Sequence, residues 1–228
     1  MRSLISIAGA IAASLSAAPV FAQTSQDAQF WFNVTVQGGI RGDAVYFAEV
    51  QPRFGDDASR LQQLILRPAI GVRLSPRVTL YQGYAHVALP QSGASDRNED
   101  RSFQQVSWTV GRIGRGELSS RTRFEQRWLS NGEETGLRLR EMARYVLPLG
   151  RERGGVAALS SVEGFVALND TDWGARAGFD QVRTFLGFEL PVRGGSTVEA
   201  GYLNQIINDP GGRARVNHVA SISLFVRR

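Results

Sequence analysis

The chain has 228 residues, no cysteine and a formal net charge of +5, and all 26 of its basic residues are arginine. Without cysteine there can be no disulfide, zinc–thiolate centre or thiol nucleophile. No basic cluster or recognition helix accompanies the positive balance, so nucleic acid is not an expected partner. No segment after the N-terminal region holds a run of apolar residues long enough for a helical membrane span.

Residues 1–22 read as a signal peptide rather than as part of the fold. Arg2 supplies the positive start, residues 4–18 form an apolar core, Pro19 breaks it, and Ala22 is the small residue before a cleavage point. The apolar run is shorter than the ~20 residues of a spanning helix. Gln23 follows where a lipoprotein would have cysteine, so no lipid anchor is expected. Residues 23–228 are then one exported domain.

From there the chain alternates with a period of two, the signature of strands whose successive side chains point to opposite faces. Residues 30–37 set Phe30, Phe32, Val34 and Val36 against Trp31, Asn33, Thr35 and Gln37, and glycines end the run. Residues 44–54 oppose Tyr46, Ala48, Val50 and Pro52 to Glu49, Gln51 and Arg53. The longest alternation follows: Leu64, Leu66, Pro68, Ile70, Val72 and Leu74 on one face, Gln63, Arg67 and Arg73 on the other. Ser75-Pro76 turns the chain into a second run, with Thr79, Tyr81, Gly83, Ala85 and Val87 against Gln82, Tyr84 and His86. Ordinary strands run ~5–6 residues, whereas crossing a bilayer obliquely takes ~9–11. This hairpin has the longer dimension.

Residues 90–100 are the longest polar insertion, and residues 103–111 form the next strand. Residues 118–129 carry the clearest charged column: Arg121, Arg123, Glu125 and Arg127 opposite Thr122, Phe124 and Trp128. Residues 137–149 oppose Leu137, Leu139, Ala143, Tyr145 and Leu147 to Arg138, Arg140 and Arg144, with Glu141 as an exception on the apolar side. Residues 156–168 are weaker, with Glu163 on the polar face. Residues 179–190 place Arg183 and Glu189, and residues 197–206 place Glu199, opposite apolar columns. Residues 216–226 close the pattern with Ala220, Ile222, Leu224 and Val226.

Short connections at 75–76, 113–114, 151–155 and 193–195 alternate with longer polar ones at 90–100, 130–135, 169–177 and 207–213. Transmembrane barrels show this asymmetry. The eleven candidate strands conflict with the even number usual in single-chain bacterial barrels. The expectation is therefore ten, with residues 30–37 outside the ladder, or twelve, with two elements merged.

Two histidines offer little to catalysis. His86 precedes a loop with Ser92 and Asp96, and His218 lies near Asn217 and Ser221, but neither spacing makes a nucleophile elbow or an oriented base. No metal triad or phosphate loop is present in the sequence, and no cofactor is expected.

The succession WF, VTVQG, EVQPRFGDD, LILRPAIGVRLSP, LYQGYAH, RTRFEQRWL, GFDQVRTFLGFEL and GYLNQ resembles the bacterial domain of unknown function 2490 family over essentially the whole mature chain. Arg67-Pro68, Gly83-Tyr84 and the segments 121–127, 178–183 and 201–205 carry the likeness most closely. The resemblance implies an outer-membrane β-barrel with no assigned activity. The ending Phe225-Val226-Arg227-Arg228 departs from the terminal aromatic usual in outer-membrane proteins.

The reading is an all-β chain: a single antiparallel up-and-down transmembrane β-barrel of ten or twelve strands, in the outer membrane, with lipid outside. Its expected role is non-enzymatic, as a small arginine-lined pore or a plugged scaffold. A lipid-modifying enzyme and a soluble exported ligand binder are the alternatives. The expected lumen residues are Glu49, Arg53, Arg67, Arg73, Arg121, Arg123, Glu125, Arg127, Arg138, Arg140, Arg144, Glu163, Arg183, Glu189 and Glu199. Arginine cannot shed its charge, so an enclosed set must meet carboxylates or water. A surplus of arginine would select small anionic solutes, and outer-membrane lipid is the other expected partner.

Overall fold

A computed structural model describes residues 23–150, 155–209 and 213–228. The expected signal peptide at 1–22, most of the turn at 151–155 and the tip of the 207–213 loop lie outside the described residues. The strands are β1 (Gln23–Arg41), β2 (Ala44–Gly55), β3 (Arg60–Ser75), β4 (Val78–Leu89), β5 (Arg97–Ile113), β6 (Gly116–Leu129), β7 (Gly136–Pro148), β8 (Ala157–Ala167), β9 (Gly178–Pro191), β10 (Thr197–Asp209) and β11 (Arg213–Arg227). They close into one barrel in sequence order.

The expectation of ten or twelve strands is corrected to eleven. Residues 30–37 do not lie outside the ladder: they are the middle of β1, which pairs antiparallel with β2 and parallel with β11. In an up-and-down meander with an odd number of strands, the first and last run in the same direction. Closure is then possible only through a parallel seam, and here it extends from Gln23↔Arg213 to Gln37↔Arg227. The barrel is therefore not antiparallel throughout.

Cross-strand partners climb around the wall. The row through Gly39, Val45, Gly71 and Tyr81 continues by way of Arg123 and Arg140 to Arg215, whose partner on β1 is Ser25 and not Gly39. Such a stagger tilts strands by roughly 35–45° to the barrel axis. The strand directions put the connections after β2, β4, β6, β8 and β10 at one rim and those after β1, β3, β5, β7 and β9 at the other. The four connections expected to be long, at 90–100, 130–135, 169–177 and 207–213, thus share one end, and Ser75 lies at the opposite end from Gly93, although the eight-residue β7–β8 connection is at the Ser75 end.

The two faces of the wall differ in composition. Leu66, Ile70, Val72, Leu186, Phe188 and Ile222 point outward and are exposed, Ile70 by 66%. Inward side chains include the fully buried Phe103, Arg123, Glu125 and Phe165. One strand reverses the simple rule. On β4 the apolar column Ala85 and Val87 is buried, while Gln82 and Tyr84 are exposed. The reason is space: the Phe103 ring fills the lumen beside β4, and a Cβ at Gly83 would sit 2.1 Å from its tip. Small residues there leave room for the neighbour's large ones.

Candidate functional site

The site is the barrel interior, assembled by strand alternation from many elements at once. Glu125 on β6 is its hub. Arg138 donates Nε and Nη2 to Glu125 Oε2 at 2.9 and 2.6 Å, and Arg140 Nη1 reaches Oε1 at 2.7 Å. Arg140 also donates Nε and Nη2 to Glu163 Oε1 at 3.0 and 2.7 Å, and Arg121 Nη2 joins the same oxygen at 2.7 Å. Arg138 Nη1 continues to Asp180 at 3.1 Å. These are charge-assisted contacts shared among four strands, the arrangement that makes burial of fixed charges tolerable.

Smaller groups flank the hub. Arg67 pairs with Glu49 across β2 and β3. Arg144 bridges Glu189 and Glu199, each at 2.6 Å, toward the short-turn rim. Arg123 is held by Gln105 Oε1 and lies 4.4 Å over Phe103, with Glu125 3.8 Å away. Arg127 meets Glu99 at 2.5 Å and stacks at 5.0 Å on Trp173 of the β8–β9 loop.

Arg53 and Arg183 are held differently. Arg53 lies 3.8 Å over the Trp31 ring and donates to Gln51 and Gln63 carbonyls at 2.8 and 3.2 Å. Arg183 lies 5.1 Å from the same ring and 4.6 Å from Phe165. Glu163 is directly across from Arg183 in register, yet its Oε1 is taken by Arg121 and Arg140. Among the described residues neither Arg53 nor Arg183 has a carboxylate within 4.0 Å.

Of the expected lumen residues, only Arg73 stands apart, exposed near the end of β3. The sequence missed Glu99, Arg101 and Asp180. Arg101 clamps Glu99 through two parallel contacts at 2.9 and 2.8 Å. Both fell inside the polar stretch 90–100 or at its edge, because β5 begins at Arg97 and its first turns are polar on both faces. Period two remains in the charges Arg97, Glu99 and Arg101, and that was the available signal.

A cavity of about 770 Å³ opens at the long-loop rim, with Trp31, Arg53, Arg101, Arg140, Phe165 and Arg183 among its lining. Beyond it, toward the short-turn rim, Arg123, Glu125, Phe103 and the cluster of Phe47, Ala69 and Tyr81 occupy the lumen. Phe47 stands 5.2 Å from Tyr81 and 6.3 Å from Phe103, ring centre to ring centre. The rim itself is knitted by its loops: Glu133 and Glu134 amides donate to Asp172, and Trp173 Nε1 to Glu134 O.

Outside, β4 to β7 carry a polar band. Gln104 donates to Gln82 at 2.8 Å and Gln126 to Gln104 at 3.0 Å. Glu141, the exception in the sequence pattern, accepts from the Ser120 and Thr122 hydroxyls on neighbouring β6. His86 Nδ1 is 2.8 Å from Asp100 Oδ1, which Tyr84 also contacts, and His218 Nδ1 is 2.6 Å from Tyr202 OH. Asp96 instead accepts from the Gln91 amide, and Asn217 is buried while His218 is exposed on the other face of β11. Among the described residues no serine hydroxyl bonds either histidine, and no three metal-ligating side chains cluster.

Residues 28–217 match the family model described as protein of unknown function (DUF2490). An uncharacterised protein of Methylorubrum extorquens is 51% identical over 218 residues, covering 96% of this chain and 93% of the relative. No solved structure matches the chain. With a family match across nearly all of the barrel, the chain belongs to the DUF2490 family of proteins of unknown function.

Proposed function

We propose that this chain is an exported outer-membrane β-barrel without catalytic activity, a scaffold whose lumen is stitched shut by arginine–carboxylate contacts and whose outer wall meets lipid. One observation carries the reading: Ile70 is 66% exposed on the outside while Arg123 and Glu125 are 2% and 1% exposed inside. A water-soluble barrel would gain about 25 cal/mol for every Å² of apolar surface turned inward, and this wall does the opposite. The strands, 11 to 19 residues long, also meet or exceed the ~9–11 needed to cross a bilayer at a tilt.

Packing supports the closed reading. A conducting pore of this strand number would leave its constriction residues wet, whereas Phe103, Phe165 and Glu125 are each at most 1% exposed. Among the described residues His86 and His218 are bonded to Asp100 and Tyr202 and to no serine hydroxyl, which favours a non-enzymatic role over lipid modification by a serine nucleophile.

Fractionation and planar-bilayer recording test this together. The expected result is heat-modifiable migration in the outer-membrane fraction and no steady conductance from the reconstituted protein. Recovery as a soluble periplasmic protein would remove the membrane assignment, and a stable conductance would replace the scaffold with a pore.

A further inference from the structure

We propose that the cavity at the long-loop rim is a binding site for a small organic oxyanion, a carboxylate or phosphate monoester on a hydroxylated body, its charged group held by Arg53 and Arg183. This goes beyond the scaffold reading and requires only the folded barrel, not its location.

The first support is the uneven treatment of the arginines. Arg138 and Arg140, which line the same cavity, are each held by carboxylates, so the chain supplies counter-charges to other arginines of this wall. Arg53 and Arg183 line the open cavity and receive only amide carbonyls and aromatic faces. Arg53 is 9% exposed, and its Nε has no hydrogen-bond partner in the chain. A guanidinium cannot neutralise itself by losing a proton, so two of them at a cavity wall with no carboxylate in contact favour an incoming anion.

The second support is preorganisation. Trp31 is cross-strand to Arg53 and lies against both guanidiniums, and its own Nε1 is anchored to Gln29 at 2.8 Å. Planar forks fixed on one ring suit a carboxylate or phosphate better than a flexible ammonium would.

The third support is the rest of the lining. The cavity, about 770 Å³, falls within the ~300–1,000 Å³ of small-molecule sites. Beside the two arginines stand Gln63, Gln181, Gln205 and Asn217, amides that carry both donors and acceptors and use part of them on one another and on the arginines. Hydroxyl groups match that mixed inventory, while an apolar body would leave it unmatched. One polar atom of the Asn217 side-chain amide also has no partner in the chain.

Titration calorimetry on the detergent-refolded barrel tests the site, with glucuronate and glucose 1-phosphate as probes and glucose and inorganic phosphate as controls. Saturable binding of at least one acidic sugar is expected, weakened about tenfold or more by Arg53→Gln or Arg183→Gln. Arg41→Gln, at the opposite rim, should bind as the unaltered chain does. Heat-modifiable migration checks that each variant is folded, and Arg53→Lys, which keeps charge but loses the fork, should bind with intermediate strength. Absence of heat from both acidic sugars overturns the proposal, as does equal binding by folded variants. Binding of inorganic phosphate alone would mean an adventitious ion only and likewise overturns it. Conductance or fractionation results leave this outcome untouched, so the two readings fail separately.

Discussion

Arg140 and Glu163, on adjacent strands β7 and β8, are joined by two hydrogen bonds to one carboxylate oxygen, at 3.0 and 2.7 Å, deep inside the barrel. The same arginine reaches back to Glu125 on β6, so one side chain ties three consecutive strands together. Ladder hydrogen bonds hold neighbouring strands in register, but only lumen side chains connect strands across the interior. The charged lattice therefore does for this barrel what an apolar core does in other folds.

Glu125→Ala tests that role. It removes the shared partner of Arg138 and Arg140 and leaves both guanidiniums buried. Breaking such a pair costs ~3–5 kcal/mol, so the urea midpoint of the refolded barrel should fall sharply. An unchanged midpoint would show that water replaces the carboxylate without loss.

Gly83 and Phe103 test the packing of the closed half. A Cβ at Gly83 would meet the Phe103 ring at 2.1 Å. Gly83→Ala should destabilise the barrel by ~1–3 kcal/mol, the usual cost of overpacking. Adding Phe103→Leu, which shortens the obstructing side chain, should recover part of that loss. Additive losses in the double variant would contradict the contact.

Glu141 tests the outer face. Its carboxylate is exposed within the outer polar band of β4 to β7, supported by two hydroxyls. If lipid covers this wall, Glu141→Leu should stabilise the reconstituted protein by up to about 2 kcal/mol. A loss of stability specific to bilayers would indicate that a polar partner covers the band instead.

The β2–β3 connection contains an unusual run. Asp56, Asp57 and Ala58 all have left-handed backbone, with φ of 58°, 55° and 59°. The first two amides point at the Asp27 carboxylate, at 3.2 and 3.0 Å. Ala58 lacks a polar side chain to favour that conformation, so Ala58→Gly should raise stability by about 1 kcal/mol. Thermal unfolding followed by gel migration reads the change.

Much of this was legible in the residues because a period of two is hard to mistake over a dozen positions. Columns such as Arg121, Arg123, Glu125 and Arg127 mark one face whatever lies beside them. What local alternation cannot carry is closure. The parallel seam between β1 and β11 depends on the parity of the whole set, and discounting the weak first strand gave an even number. Nor can one strand reveal which face is inside when its neighbour dictates the space. Gly83, Ala85 and Val87 formed the more apolar column of β4, yet they turn inward because Phe103 on β5 needs the room. Glu99 and Arg101 were hidden by a third effect, a strand end polar on both faces. The unmatched pair Arg53 and Arg183 could be recognised only once partners were assigned in three dimensions.

The central claim is that the apolar columns face lipid and the charged columns do not. The chain has no cysteine, so Ile70→Cys and Ile222→Cys each allow one fluorophore to be placed on the outer wall without further changes. In reconstituted vesicles both labels should be quenched by nitroxide-bearing lipids and shielded from aqueous iodide. Labels quenched by iodide and indifferent to the nitroxide lipids would put that wall in water and contradict the account.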